Sequence, residues 1–456
     1  MLATKINSPF VFLLAIILAG FVVVKITDNP VIVPKAEKEA LNIKSWQTSN
    51  GARVMYVYAE ELPMLDVRVV FDAGSARDGD KPGLASMTNL MLDLGAGQWT
   101  TDQIAERLDS VGANIRTTSL RDMAIVSMRS LSNDAILNKS LDTLAAVLQQ
   151  PRFPVTELER ERKQVLIALQ NKLQSPDDIA EELFYKTLYG KHPYATPSMG
   201  TTESVRKISR ADLKAFYQQY YVASNAVIAL VGDVDEKQAR EITEKLTSGL
   251  AKGQRAKRVA NVAELTKAKE IKHQHPSTQT HILVGQPGMI RGDEDYFALY
   301  VGNHILGGSG FNSRIVDEIR EKRGLAYSSY SYFLPMREKG PFMMGLQTNN
   351  KKANEALSVL RDTLTTFIKE GPTDDELEHS KKNITGGFPL RIDSNKDIVE
   401  YLAVMGFYDL PLDYLQSFND KVMAVTHEQI MAAYKKRVTP DKMVTIMVGD
   451  LAAAKK

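Results

Sequence analysis

One stretch of this chain occurs twice, and that repetition limits its architecture more than any other feature. The segment from Ile208 reads ISRADLKAFYQQYYVASNAVIALVGDV, and the segment from Val425 reads VTHEQIMAAYKKRVTPDKMVTIMVGDL. They align without a gap at an offset of 217 residues, placing Ser209 on Thr426, Leu213 on Ile430, Tyr217 on Tyr434 and Val227 on Val444. Val231-Gly232-Asp233 falls on Val448-Gly449-Asp450. In each copy a hydroxyl residue can cap a helix by accepting an unpaired N–H. Apolar residues at helical spacing follow, then a polar turn, then a run rich in β-branched residues that reads as a buried strand. A second pair agrees: PVTELERERKQVL from Pro154 and PTDDELEHSKKNI from Pro372 match at Glu157-Leu158-Glu159 and Glu376-Leu377-Glu378, an offset of 219 residues. Both read as acidic helix starts behind a proline. Two offsets this close imply two duplicated domains, each a sheet packed with helices, in an α+β fold.

The expected domains are 45–250 and 271–456, joined by the basic, polar stretch 251–270, which reads as a solvated linker. At 456 residues the chain is long enough for both. A formal net charge of +2 leaves no nucleic-acid footprint. The chain has no cysteine, which excludes disulfides, thiolate metal sites and a cysteine nucleophile together. Upstream, Pro9 to Val24 carries no charge between Lys5 and Lys25. No clean cleavage site interrupts it, so residues 1–26 are expected to be an uncleaved signal anchor rather than a removed signal peptide, with 27–44 as a linker. The body of the chain would then lie across a membrane, in the periplasm of a Gram-negative cell and held to its inner membrane.

Two motifs carry a family resemblance. Asp78 to Gly97 reads DGDKPGLASMTNLMLDLGAG, and Ile305 to Tyr330 reads ILGGSGFNSRIVDEIREKRGLAYSSY. Together with the duplication, they resemble the first and second domains of the pitrilysin/insulinase type of zinc peptidase, the inverted zincins, over most of residues 45–456. The resemblance implies the duplicated domain of the pitrilysin and mitochondrial-processing-peptidase type. In that family the first motif continues into His-x-x-Glu-His, with two histidines one helical turn apart on one face and a glutamate to take a proton from metal-bound water. Here those positions fall on Ser86, Asn89 and Leu90. The third ligand, a glutamate in a helix of the form E-R-x-x-V-x-x-E, falls on Ala168. Serine is a poor zinc ligand, leucine and alanine are none, and asparagine has no useful basicity. The resemblance therefore implies no zinc peptidase activity for this chain alone and no metal cofactor of its own.

The second motif is intact. The family's arginine and tyrosine, seven residues apart, match Arg320 and Tyr327, while Arg314 and Arg323 fall beside the pattern. A tyrosine hydroxyl can donate to the oxygen that gains charge when a peptide carbonyl is attacked. Arginine offers planar donors to backbone carbonyls or a terminal carboxylate. Some bacterial members divide these motifs between two chains. The expectation is thus a substrate-binding, non-catalytic subunit that lends Arg320 and Tyr327 to an active site whose zinc and base come from a homologous partner bearing His-x-x-Glu-His. Its substrate would be a peptide or unfolded polypeptide. A structural scaffold and a peptide-binding homodimer are the alternatives.

Other features are plainer. His273, His275 and His281 read as a solvated strand start, and His192, His304, His379 and His427 as structural or surface residues. Gly307-Gly308-Ser309-Gly310 lacks the ending of a phosphate loop and reads as a site of close backbone approach or a lid. The apolar strand Gly340 to Leu346 is expected to offer an edge to an extended peptide.

Overall fold

The computed structural model describes residues 41–452. The expected anchor and the first part of its linker lie outside these residues. Among the described residues no helix is long and apolar enough to cross a membrane.

The repeat is visible in the sheet topology. The first sheet contains β1 (Lys44–Gln47), β2 (Arg53–Tyr58), β3 (Met64–Phe71), β4 (Asn114–Ser119), β5 (Ala124–Leu131) and β6 (Ala226–Gly232), in the order β1-β2-β6-β3-β5-β4. The second contains β7 (Lys269–Gln274), β8 (Gln279–Pro287), β9 (Ala326–Phe333), β10 (Pro341–Asn349) and β11 (Val444–Gly449), in the order β7-β11-β8-β10-β9. Without β1, the two orders are the same. In each, the last strand enters between the first two, parallel to one and antiparallel to the other. The repeated segments fold as expected. Ser209 and Thr426 cap the helices Arg210–Tyr220 and His427–Arg437 through full capping boxes, and β6 and β11 are buried along their whole length.

Each sheet has its own helices on one face and a helix from the other half on the opposite face. Alternation in β6 directs Ile228 and Leu230 toward the helices of the first half and Val227, Ala229 and Val231 toward the helix Asn395–Tyr408 of the second. There Val399, Leu402 and Ala403 complete the layer. Reciprocally, the helix Pro176–Tyr189 of the first half lays Ala180, Phe184 and Leu188 on Leu283, Val444, Ile446 and Val448 of the second sheet. The Phe184 ring sits so close to β8 that a Cβ at Gly285 would stand 2.8 Å from its Cζ, so glycine is needed there. Burying one such ring stabilises the fold by about 1.5–3 kcal/mol.

A buried polar cluster ties the halves together as well. Asp122, in the turn between β4 and β5, accepts the Tyr194 hydroxyl at 2.7 Å, the Tyr408 hydroxyl at 3.0 Å and the Arg337 backbone N–H at 2.8 Å. The stretch after residue 250 runs over the surface between the halves, where Arg255 pairs with Asp409 at 2.9 Å.

One expectation is corrected. The strand Gly340 to Leu346 is not an edge: β10 pairs with β8 on one side and β9 on the other, and its backbone groups are already taken. Its residues from Pro341 to Leu346 are all buried, as an inner strand covered on both faces requires. The open edges of the two sheets are β1, β4, β7 and β9.

Candidate functional site

Arg320 and Tyr327 are reached by different elements. Arg320 lies in a wide helical turn, Asp317–Glu321, and Tyr327 near the start of the edge strand β9. The turn Gly324-Leu325 between them is held by the Gly324 N–H on the Arg320 carbonyl and the Leu325 N–H on the Ile319 carbonyl. This brings the pair into contact, with the guanidinium carbon of Arg320 4.7 Å from the centre of the Tyr327 ring.

A third residue completes the arrangement. Phe311 lies on the other end of the motif, and its ring centre is 4.6 Å from the same guanidinium carbon. Both rings face solvent, Tyr327 at 81% and Phe311 at 68% exposure. Sequence reading missed Phe311; the available signal was a lone aromatic between the glycine run and Ser313-Arg314. The glycines serve close approach: residues 304–308 form a wide helical turn, and a Cβ on Gly307 would meet the Ser331 Oγ at 2.4 Å.

Neighbouring arginines are committed elsewhere. Arg314 forks onto Glu376, with both contacts at 2.6 Å, and also donates to the Gly371 carbonyl. Arg323 is held by Glu318. Among the described residues the one ion pair of Arg320 is with the adjacent Glu321, at 3.4 Å. A guanidinium clamped by rings keeps its in-plane N–H groups available for a carbonyl or carboxylate. The Tyr327 hydroxyl has no hydrogen-bond partner among the described residues and is a free donor.

In the first half, Ser86 and Leu90 lie one turn apart on the helix Leu84–Leu90 and form its half-buried side. Asn89 turns inward instead. It is buried, and its Nδ2 donates to the Tyr221 hydroxyl at 3.2 Å. Ahead of this helix, Asp78 accepts the N–H groups of Gly83 and Ala85 at 2.8 and 2.7 Å, and burial pushes its carboxyl up to about 7 against their pull. Ala168 is half-buried on the helix Val155–Lys172. These four side chains offer no donor set that fits zinc. Among the described residues, no group of three or more histidines and carboxylates could hold a metal.

The histidines are spread out. His273 and His275 lie on and just past the exposed edge β7, and His281 on β8 faces Asp177 at 3.3 Å. His304 is bracketed by the Ser380 Oγ at 2.9 Å and the Asn383 Oδ1 at 3.2 Å, and burial lowers its pKa. His192 contacts the Ala260 carbonyl at 2.7 Å, and His427 contacts the Pro372 carbonyl. His379 is exposed.

Comparison with known proteins agrees with the geometry of both halves. Residues 53–202 match the family model described as insulinase, peptidase family M16, and residues 207–384 match that described as the peptidase M16 inactive domain. The crystal structure of a peptidase M16 inactive domain from Pseudomonas fluorescens is 40% identical, with a TM-score of 0.87 covering 90% of this chain and 98% of that one. The uncharacterized zinc protease YmxG of Bacillus subtilis is 27% identical over 356 residues, 77% of this chain and 85% of its own length. The non-peptidase homolog YmxG of Helicobacter pylori is 26% identical over 394 residues, 84% of this chain and 89% of its own.

Proposed function

The chain belongs to the M16 family of peptidases, and from that premise we propose that it is a non-catalytic, substrate-binding member working with a homologous zinc-bearing subunit. One observation carries this reading. Arg320 and Tyr327 are in contact, with Arg320 engaged otherwise only by the 3.4 Å contact to the adjacent Glu321, whereas the positions that the family resemblance assigns to zinc ligands and base carry Ser86, Asn89, Leu90 and Ala168.

In this reading the partner supplies zinc and the general base. This chain receives a peptide or unfolded segment between the two subunits. Arg320 holds a substrate carbonyl or carboxylate, and Tyr327 donates to the oxygen that gains charge during attack. The partner's metal provides the water-activating chemistry; neither Arg320 nor Tyr327 replaces it. The open edge of β4 packs beside the helix Leu84–Leu90 and presents alternating exposed residues, so an extended peptide can add there through backbone hydrogen bonds. The apolar run Pro9 to Val24 supports a membrane-anchored, periplasmic location for the assembly.

A second reading, a scaffold without any peptidase partner, is favoured by the relative named a non-peptidase homolog. Hydrolysis of a quenched peptide library by this chain, by a His-x-x-Glu-His homologue from the same cell, and by the mixture separates the two. Activity gained only in the mixture, lost with a chelator and reduced by Tyr327→Phe, supports the complementing subunit. A homologue equally active alone overturns it.

A further inference from the structure

Away from the Arg320 site, a cleft of about 590 Å³ opens where the exchanged helix Asn395–Tyr408 meets the helix Tyr296–Asn303. Two arginines line it, Arg291 and Arg391, among the rings of Tyr296, Tyr300, Tyr401 and Tyr414. An adjoining cavity of about 330 Å³ shares Arg291, Arg391, Tyr296 and Tyr300, so the arginines stand at the junction of the two spaces. That second cavity borders His304, which also borders the cavity lined by Phe311.

The charge here is not balanced. The Arg291 Nε is buried without a hydrogen-bond partner, and its guanidinium carbon lies 5.5 Å from the Tyr408 ring centre. Arg391 donates to the Tyr300 hydroxyl at 3.0 Å, a neutral partner. Two acids stand at the cleft, and both are engaged. Glu400 pairs with Arg68 at 2.8 Å, and Asp397 is taken up by Ser394 at the start of its helix. Neither arginine has an ion pair among the described residues. A half-buried guanidinium lacking both an anion and a hydrogen bond at Nε is costly, which a ligand carrying an anionic oxygen would relieve.

We propose that this cleft binds a carboxylate of a peptide, with Arg291 and Arg391 as its donors and the tyrosine rings packing the adjacent residue. Two guanidiniums match the planar, two-oxygen geometry of a carboxylate, and aromatic walls suit a peptide segment rather than a bare ion. The proposal rests on the peptide-binding reading above and adds a second anchoring point, distinct from Arg320. The carboxylate can come from the peptide's C-terminus or from an acidic side chain.

Calorimetry on the full chain with three decapeptides tests it: one with a free C-terminus and no acidic residue, one amidated with two internal glutamates, and one amidated and neutral. At least one carboxylate peptide should bind about tenfold more tightly than the neutral one. Which one does so identifies the source. That preference should vanish in Arg291→Gln and in Arg391→Gln, and return in part with Arg291→Lys. Arg391 is exposed, so its variant leaves the fold intact. A preference that survives the Arg291→Gln/Arg391→Gln pair overturns the proposal, as does equal binding of all three peptides. A preference lost only in Arg320→Gln also overturns it while leaving the peptide-binding reading standing. No binding by any peptide removes both.

Discussion

Tyr194, from the first half of the chain, and Tyr408, from the second, direct their hydroxyls at the two oxygens of a single buried carboxylate, Asp122, at 2.7 and 3.0 Å. The Arg337 N–H joins them. Asp122→Ala would strand one buried and two half-buried donors at once. With about 1–3 kcal/mol for an unsatisfied buried group and less for a half-buried one, a loss of at least about 2 kcal/mol is expected in denaturant unfolding. Tyr408→Phe, which removes one donor and leaves two, should cost about 1 kcal/mol.

Phe184→Ala tests the exchanged helices. The side chain is fully buried against the second sheet although it belongs to the first half. The expected loss is about 3–5 kcal/mol. Fluorescence probes placed separately in the two halves should report the same shifted midpoint. A shift confined to one probe would show that the halves unfold independently.

Tyr327→Phe should leave the melting temperature unchanged, because the ring is exposed and its hydroxyl has no hydrogen-bond partner among the described residues. In the mixture with a zinc-bearing homologue, the same variant should lower kcat about a hundredfold, the usual cost of removing one donor to a developing oxyanion. An unchanged kcat would remove Tyr327 from the chemistry.

The triple variant Ser86→His, Leu90→His, Ala168→Glu should take up one zinc ion per chain, measured as metal content after gel filtration. Residues 86 and 90 already share the half-buried side of their helix, the spacing two imidazoles need. No metal retained would show that Ala168 does not converge on that face.

His304 links stability to pH. Burial lowers its pKa below the ordinary value of about 6.5, so the unfolded chain binds a proton that the folded chain refuses. This group's contribution is complete above pH 6.5 and is lost as pH falls from there toward the folded value. Urea titrations at pH 7.5 and pH 5 should show that His304→Gln loses less stability on acidification than the natural chain does.

Much of this fold is legible in the sequence because the repeat is. Val227 to Val231 and Val444 to Val448 mark equivalent strands, and Ser209 and Thr426 mark equivalent helix starts. Arg320 and Tyr327 are singled out by the family resemblance, and their contact depends on the turn Gly324-Leu325 that joins their two elements. Legibility ends where a side chain's neighbours come from elsewhere in the chain. An apolar stripe on Pro176–Tyr189 announces a buried face and not which sheet will cover it. The run Pro341 to Leu346 reads equally as an edge or an inner strand until its partners are known. Asn89 is one methylene shorter than the glutamate of the family motif, and its burial against Tyr221 has no local signal. Phe311 gains its place only through the turn that delivers Arg320 to it.

The exchange of the helices Pro176–Tyr189 and Asn395–Tyr408 gives the molecule the topology of two clasped hands rather than two beads on a string. Neither half is a self-sufficient module. Expressed separately, each would present a bare β-surface and a homeless helix, both inviting a second copy of the other half. A nick in the surface stretch after residue 250 would not release two pieces, because each holds the layer that finishes the other. The same clasp couples the half that carries Arg320 to the half that carries Ser86, so that force applied to one is felt as strain in the other.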